Sequence, residues 1–569
     1  MKRSRTSPST SSDTTDSGEN QTDTSRPELG TNTVRSHNKI NKRSSKHTSL
    51  RAGLAVVAGR TAGAISRRLH LGGGTSIVGA VAQRVYPEIV EHLATQLEYG
   101  SILVTGTNGK TTTSSFIAAI IRDGGLRVWR NREGSNLMRG VAGALVIRAR
   151  SNGNLRRSGH AISVLETDEA ALPKVVQAVT PRVIVFTNLF RDQLDRYGEV
   201  DTIIQRWQQT IQQLPATTTL VLNADDPTIA QLGEGFSGQI VFFGIDDLSL
   251  DTHQPETKRH QVVDVRRCAR CGNDYRYALH FYSHLGHYTC EHCGAERPTP
   301  DIRATHIQLD DFDRYRMTVR DASQQHEIVV PLPGLYNVYN ALAAISVAHV
   351  LNIGWEPITL GIEQSKPVFG RGERIQIDGK TMRLLLAKNP TGFNEVLRTV
   401  STDKEKRHML LVLNDLVADG RDVSWIWDVD FEQAVEQIEH VVVSGTRALD
   451  LALRLRYAGL AEDHMTIVPS VPLRATRSQR TGSAPRGRKH KDPQTREHPK
   501  ETDSHSTAQD STQPPTRRYG LKNALNSALQ QTPIGETLFI VPTYTGLLEV
   551  HRELEQRGLT PHYWEGREA

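Results

Sequence analysis

Cysteine is scarce in this sequence: 569 residues hold four, all in two short pairs, CARC at 268–271 and CEHC at 290–293. A chain whose thiols all belong to one site has none to spare as a nucleophile. Long apolar runs are missing as well. The most membrane-like region, RAGLAVVAGRTAGAISRRLHLGGGTSIVGAVAQRV, is broken by Arg60, Arg67 and Arg68 well before it reaches the roughly 20 apolar residues that a membrane span requires. It predicts a helix at the surface. The basic start of the chain runs into Ser, Thr and Asp instead of an apolar stretch. No secretory leader is therefore expected, and the protein is placed in the cytoplasm, at most peripheral to the inner face of the membrane. No repeat of fixed period is present.

The formal net charge of +6 invites a nucleic-acid reading, but composition argues against it. Much of the basic excess sits in a Ser/Thr-rich head, residues 1–50, and in a stretch at 474–518 almost free of large apolar side chains. Both have the composition of solvated, disordered segments; a basic arm touching RNA or anionic lipid is the alternative. The length predicts about three folded units beside these tails.

The stretch SILVTGTNGKTTTSSF, residues 101–116, departs from the strict phosphate-loop pattern because Val104 stands where a glycine is expected. Its context is nevertheless the required one: an apolar β-rich run, a Gly-rich turn, then apolar residues at helical spacing up to the pair Gly124 and Gly125. In that setting Gly106 and Gly109 let backbone amides approach phosphate oxygens, with Thr107 and Asn108 between them. Lys110 reaches the outer phosphates, and the hydroxyl of Thr111, followed by Thr112, can hold Mg²⁺. An ordinary tight turn is the competing account.

Further apolar runs, LRVWRN, AISVLETDEA, PRVIVFTNL, TTTLVLNADDP and QIVFFGIDD, end in polar or acidic residues. They predict an α/β fold with a parallel sheet. Ligands gather at the carboxyl ends of such strands, where Glu166, Asp168, Asn188, Asp192, Asp195, Asn223, Asp225 and Asp226 fall. A carboxylate facing a triphosphate needs a cation between them, and Glu166 is the first candidate Mg²⁺ ligand; any of these acids can instead cap a helix.

The cysteines form a C-x2-C, eighteen-residue, C-x2-C pattern, which points to one structural Zn²⁺ held by Cys268, Cys271, Cys290 and Cys293. Gly272 and Gly294 supply the permissive backbone after each pair. Four sulfurs fill the shell, so His280, His284, His287 and His292 are expected at the surface. Toward the C-terminus a buried strand, HMLLVL, leads into a loop with Asp415, Asp419, Asp422, Asp428 and Asp430 beside Trp425 and Trp427. These are either solvated turn acids or an interface or catalytic loop.

TGTNGKTT, LETDEA, TNLFRDQLDRYGE, LNADDP, LPGLYNVYNALAA and FGRGERIQ stand in an order and spacing that resembles the Mur ligase family, the ATP-dependent amide-forming enzymes of peptidoglycan synthesis. The resemblance implies a carboxylate activated by ATP as an acyl phosphate and attacked by an amine. It implies Asn337 and Arg371 at the nucleotide and Asn223 and Asp226 near its base or ribose. The expected domains are a central ATP-binding domain at 51–358, with a zinc ribbon inserted at about 264–300, and a C-terminal α/β domain at 359–569.

Two residues depart from the family pattern: Gln193 replaces its usual His, and Trp207 replaces a lysine that many members carbamylate, in a stretch with no lysine between Lys174 and Lys258. AKNPTGFNEV, DGRDVSWIWD and the cysteine pattern narrow the resemblance to the synthetase subunits of lipid II isoglutaminyl synthases, carbon-nitrogen ligases with glutamine as amido donor. That resemblance implies a separate GatD-type class I glutaminase subunit as partner and lipid II as substrate. It also implies an Asp of this chain, Asp419 or Asp422, that completes the partner's Cys-His pair. A stand-alone amino-acid or polyglutamate ligase is the rival enzyme, and a zinc-ribbon adaptor for nucleic acid the non-enzymatic one.

Overall fold

Every apolar run noted between residues 101 and 245 is a strand in the computed structural model, which describes residues 44–68, 75–131, 135–191, 200–250, 267–310, 314–367, 370–401, 405–470 and 520–560. Asp192, Gln193, Asp195 and the segment 474–518 lie outside the described residues, as does the head up to residue 43. The strands are β1 (Ser101–Thr105), β2 (Arg127–Arg130), β3 (Ala161–Glu166), β4 (Val183–Phe186), β5 (Thr219–Asn223) and β6 (Gln239–Ile245). They are parallel, and β1, β3, β4 and β5 are buried along their whole length, as a sheet covered on both faces must be.

Between β6 and the rest of this sheet the chain makes a small antiparallel hairpin, β7 (Arg276–Tyr282) and β8 (Leu285–Thr289), which carries the cysteines at its base. It then returns as β9 (Ile302–Asp310), β10 (Arg314–Arg320) and β11 (Gln325–Val330). The sheet order is β11-β10-β9-β6-β5-β4-β1-β3-β2. The chain crosses from one side of β1 to the other between β3 and β4, and the crevice beyond their carboxyl ends is where a doubly wound sheet receives its ligand.

Helices cover the faces: α1 (Ser44–Arg68), α2 (Thr75–Val85), α3 (Ile89–Ala94), α4 (Lys110–Asp123), α5 (Met138–Arg148), α6 (Leu172–Val179), α7 (Val200–Gln212), α8 (Pro227–Gln231), α9 (Leu335–Val350) and α10 (Trp355–Glu363). The helix α1 begins inside the segment read as head. The expected junction at 358 falls within α10, which packs on the first sheet so closely that a Cβ on Gly361 would stand 2.6 Å from the Ile120 backbone nitrogen.

A second sheet contains β12 (Arg371–Ile377), β13 (Lys380–Leu385), β14 (Arg407–Val412), β15 (Ile438–Gly445), β16 (Met465–Pro469) and β17 (Thr537–Pro542), in the order β12-β13-β17-β14-β15-β16. All neighbours except β12 and β13 are parallel. Its helices are α11 (Pro390–Val400), α12 (Ala448–Tyr457), α13 (Gly520–Gln531) and α14 (Tyr544–Gln556). Among the described residues no helix is long and apolar enough to cross a membrane.

Candidate active site

The turn from β1 to α4 is built from backbone that only glycine adopts freely: Gly106 has φ of 132° and Gly109 φ of 86°. Side chains would also collide there. A Cβ on Gly106 would lie 2.2 Å from Thr187 Oγ1, and one on Gly109 2.1 Å from Asn340 Oδ1. The loop is laced to the end of β4, since Asn108 N donates to Asn188 Oδ1 over 2.9 Å while Thr187 Oγ1 donates to Asn108 O over 2.8 Å. Thr107 Oγ1 donates to Phe190 O over 3.1 Å and accepts from Phe190 N over 3.0 Å. Val104, two residues before the turn, is buried strand, so the absent glycine falls outside the part of the loop that bends.

Lys110 and Thr111 open α4 and point into the crevice beside β3. Lys110 Nζ pairs with Glu169 Oε1 at 2.8 Å and donates to the Thr107 carbonyl over 3.2 Å and to the Gly106 carbonyl. Burial alone would push the ammonium down. The charge of Glu169, reinforced by Glu166 and Asp168, outweighs it and holds Lys110 above its ordinary value. Thr111 Oγ1 lies 3.1 and 3.0 Å from the two Glu166 oxygens. A hydroxyl oxygen and a carboxylate converging at the helix start are hard ligands of the kind Mg²⁺ takes. Glu166 is braced from behind: Asn131 Oδ1 accepts from its backbone N over 2.9 Å, and Asn131 Nδ2 donates to its carbonyl over 2.8 Å.

Asn337 sits near the loop but in contact with it only through a neighbour. Its Nδ2 donates to Pro333 O over 2.6 Å, and its Oδ1 accepts from Asn340 Nδ2 over 2.9 Å, while Asn340 Oδ1 accepts from Thr113 Oγ1 over 3.2 Å. Arg371 is half-buried at the start of β12 and its charge is felt by Tyr336 in the first turn of α9.

Asn223 is wholly buried behind the loop, its Nδ2 donating to Thr187 O over 3.0 Å. Asp226, also wholly buried, caps α8 by accepting from Thr228 N over 2.9 Å and Ile229 N over 3.2 Å, and accepts from Leu189 N over 3.0 Å. Its remaining partner is His284 Nε2, 3.2 Å away. Asp225 is tied to Arg297 Nε at 2.6 Å and to the Tyr339 hydroxyl at 2.7 Å.

His284 overturns an expectation. It is not at the surface but fully buried, its ring tilted against that of Phe190 with centroids 4.9 Å apart, and paired with Asp226. It joins the hairpin to the wall of the crevice, and a buried carboxylate needs such a partner.

The four cysteine sulfurs all lie within 4.8 Å of one another, and all four are free thiols. Cys268 Sγ is 3.6 Å from Cys293 Sγ and Cys271 Sγ 3.5 Å from Cys290 Sγ, close to the edge of about 3.8 Å that a tetrahedron with Zn–S bonds of about 2.3 Å would have. The two knuckles share one pattern. Cys268 N donates to Asn273 O over 2.7 Å and Cys290 N to Ala295 O over 2.7 Å, with Gly272 at φ 74° and Gly294 at φ 72° closing each turn. The cluster fits zinc.

Asp419 and Asp422 occupy the loop after β14. Asp419 is buried; its Oδ1 accepts from Thr545 N over 2.7 Å and its Oδ2 from the Thr545 hydroxyl, and burial outweighs these bonds to push its carboxyl up to about 6. Asp422 is exposed, and the Ser424 N–H, 2.8 Å from its Oδ1, holds it below the ordinary carboxylate range. Asp430 is tied to α11 through Asn394, and Asp428 lies 4.0 Å from Arg191.

Three residues that the structure brings to the candidate site escaped the sequence reading. Glu169 was the acid three places after Glu166 in LETDEA; Asn340 was one helical turn after Asn337; Asn389 stood in AKNPTGFNEV without a role. Asn389 Oδ1 caps α11 by accepting from Gly392 N over 2.8 Å, and its Nδ2 donates to Asn108 Oδ1 over 3.2 Å. Spacing on one helix could have flagged Asn340. Trp207, which fills the place of the family's lysine, is fully buried and donates from Nε1 to the Glu169 carbonyl over 2.9 Å.

Residues 104–282 match the Mur ligase middle domain model and residues 386–485 the MurT ligase C-terminal model. The subunit MurT of the lipid II isoglutaminyl synthase (glutamine-hydrolyzing) of Staphylococcus aureus strain COL is 34% identical over 406 residues, 71% of this chain and 86% of that one. Its namesake from Streptococcus pneumoniae strain R6 is 34% identical over 419 residues, 74% and 89%. Among solved structures, a pseudomurein peptide ligase type C from Methanothermus fervidus aligns with a TM-score of 0.56 at 20% identity over 81% of this chain and 79% of that one. The MurF ligase of Thermotoga maritima in complex with ADP gives 0.52 at 11% identity over 84% and 85%. These two share the fold. Identity at this level, spread over both sheets and most of the length of the relatives, means that the chain belongs to the MurT family of Mur ligase-like proteins.

Proposed function

We propose that this chain is the synthetase subunit of a lipid II isoglutaminyl synthase: it uses ATP to activate the α-carboxylate of D-glutamate in the lipid II stem peptide as an acyl phosphate, which ammonia converts to D-isoglutamine. The observation that carries the reading is the convergence of Lys110, Thr111 and Glu166 on one crevice, with Asn389 of the second domain hydrogen-bonded to the same loop. Lys110 and the amides of residues 106–112 would hold the phosphates, while Asn337 and Arg371 border the nucleotide and Asn223 and Asp226 stiffen the wall behind it. Thr111 and Glu166 would hold Mg²⁺, whose positive charge would offset that of the transferring phosphoryl group. In the reaction the carboxylate oxygen takes the phosphoryl group and ADP leaves; ammonia then attacks the acyl carbon, phosphate departs, and a proton is released from nitrogen.

Every cysteine of the chain lies in the zinc-type cluster, so glutamine hydrolysis is assigned to a GatD-type partner. Asp422 is our choice for the residue that orients the partner's histidine. Its carboxylate is exposed and ionised, whereas Asp419 is buried and spent on Thr545. A residue that reaches into another subunit must be open in this one. The zinc is structural in this reading, because four thiolates leave no open position.

The test supplies ATP, Mg²⁺ and lipid II with either ammonium or glutamine. The chain alone should amidate from ammonium, and from glutamine only with the glutaminase subunit added. Amidation from glutamine by the chain alone would overturn the division of labour.

A further inference from the structure

The helix α1 has two apolar faces, and the described residues bury only one of them. Its inner face, with Ala52, Ala55, Val56 and Ser66, is buried in the core shared with α2 and α5. The docking is close: a Cβ on Gly53 would stand 2.5 Å from Ser151 O, and one on Gly59 2.6 Å from Val78 O. Small residues thus let α1 lie flat on its neighbours. The outer face is different in kind. Leu50 is 66%, Leu54 63% and Ile65 54% exposed, with Val57 also exposed. At 3.6 residues per turn these four share an arc of about 80°, opposite Ala52, Gly59 and Ser66.

The stripe is bordered by positive charge. Arg51 lies along one edge, Arg60 and Arg67 along the other, and Arg68 at its end, all exposed; Arg60 also reaches the Ala149 carbonyl at 3.4 Å. No Asp or Glu occurs anywhere from residue 29 to residue 87. Arginine stems can bury carbon while their heads stay at a polar boundary. An apolar stripe edged by arginine on both sides, on a helix that cannot span a bilayer, is the chemistry of a helix lying in the plane of an anionic membrane surface.

We infer that the outer face of α1 is a membrane-docking surface that seats this chain on anionic lipid. The leucines and isoleucine enter the headgroup boundary and the arginines meet lipid phosphates. A protein partner would be served by the apolar stripe alone; arginines on both edges, and no acid on α1 itself, favour lipid. This docking goes beyond the reaction proposed above and is argued from α1 without it. It would bring the crevice to the surface where a lipid-linked substrate resides.

The experiment is flotation of the full chain with vesicles of phosphatidylglycerol and phosphatidylcholine in equal parts, against phosphatidylcholine alone, at low and high salt. The triple variant Leu50→Ser, Leu54→Ser, Ile65→Ser keeps every charge and alters only exposed side chains; circular dichroism and melting confirm its fold. Wild type should float with the anionic vesicles only, and the variant should lose binding by about tenfold or more. The set Arg51→Gln, Arg60→Gln, Arg67→Gln should weaken binding and flatten its salt dependence. Unchanged binding by the serine variant, which would assign the affinity to the basic segments alone, overturns the inference. So does wild-type failure to bind anionic vesicles, or a wild-type dimer that the serine variant dissolves. No ATP or substrate is present, so this result and that of the amidation assay are read separately.

Discussion

Asn389 of the second domain and Asn108 of the phosphate loop, 281 residues apart in sequence, are joined through their side-chain amides, Nδ2 to Oδ1 at 3.2 Å. The residue that caps α11 is thereby also a contact of the loop that would receive ATP, so the start of the second domain's first helix is registered against the nucleotide crevice.

Replacing Asn389 by Ala removes both the cap and the contact. The cap alone is worth about 1 kcal/mol, and ATP-dependent turnover should fall further through a raised KM for ATP. A double-mutant cycle with Asn108→Ala should return a coupling of about 0.5 kcal/mol or more; additive effects would mean that the two amides act independently.

In the proposed reading Lys110 is the charge that meets phosphate, and Glu169, paired with it at 2.8 Å, keeps it in place. Lys110→Ala should lower ATP-dependent amidation by about 10²-fold or more, with folding intact by circular dichroism. Glu169→Gln should bind ATP with a changed KM and a smaller loss in kcat, since it frees the ammonium without removing it. A Lys110→Ala variant of normal rate would remove the loop from the mechanism.

The two candidate acids of the second domain should separate cleanly by nitrogen source. In the assembled complex, Asp422→Asn should lower glutamine-driven amidation by about 10²-fold or more while leaving ammonium-driven amidation unchanged. Asp419→Asn should behave the same with both sources. The reverse pattern would transfer the role to Asp419.

Asp419 also predicts a pH dependence of stability. Its folded carboxyl is pushed up to about 6 by burial, above an ordinary value of about 3.9. The folded state therefore binds more protons than the unfolded one between those values, and stability falls as pH rises through that window. Its contribution is fully present below the unfolded value and lost above the folded one, on the order of 3 kcal/mol in all. Asn can accept from Thr545 N as Asp does, so the melting temperature of Asp419→Asn should gain on that of wild type as pH is raised from 4 to 7. An unchanging difference would show that the carboxyl titrates normally.

Zinc content gives a prediction of its own. Purified protein should carry one zinc per chain by atomic absorption. Cys271→Ser should lose it together with about 5 °C or more of melting temperature. Full stability without metal would leave the cysteine cluster a packing feature only.

Much of this was legible because local patterns carried it. The strands β1 to β6 followed from apolar runs ending in polar residues, and the turn at Gly106 to Gly109 from its strand-turn-helix context. The cysteines met as their spacing implied. Contacts across the chain were not legible. His284 reads as a polar residue in a tight turn, and only the fold supplies the buried Asp226 that draws it inward. Glu169 looks like one more strand-end acid until Lys110 lies beside it, and Trp207 looks like a core aromatic until its indole reaches the Glu169 carbonyl. Hydrogen-bond partners distant in sequence leave no periodicity.

The helix α11 is held at two points: Asn389 at its beginning meets Asn108, and Arg398 near its end donates to the Phe281 carbonyl of the cysteine-bearing hairpin over 2.8 Å. One anchor is therefore the hairpin whose base carries the four cysteines. On the function proposed above, loss of metal from the cluster or oxidation of its thiols would slacken that mooring and let the two halves of the crevice drift apart while both sheets stayed folded.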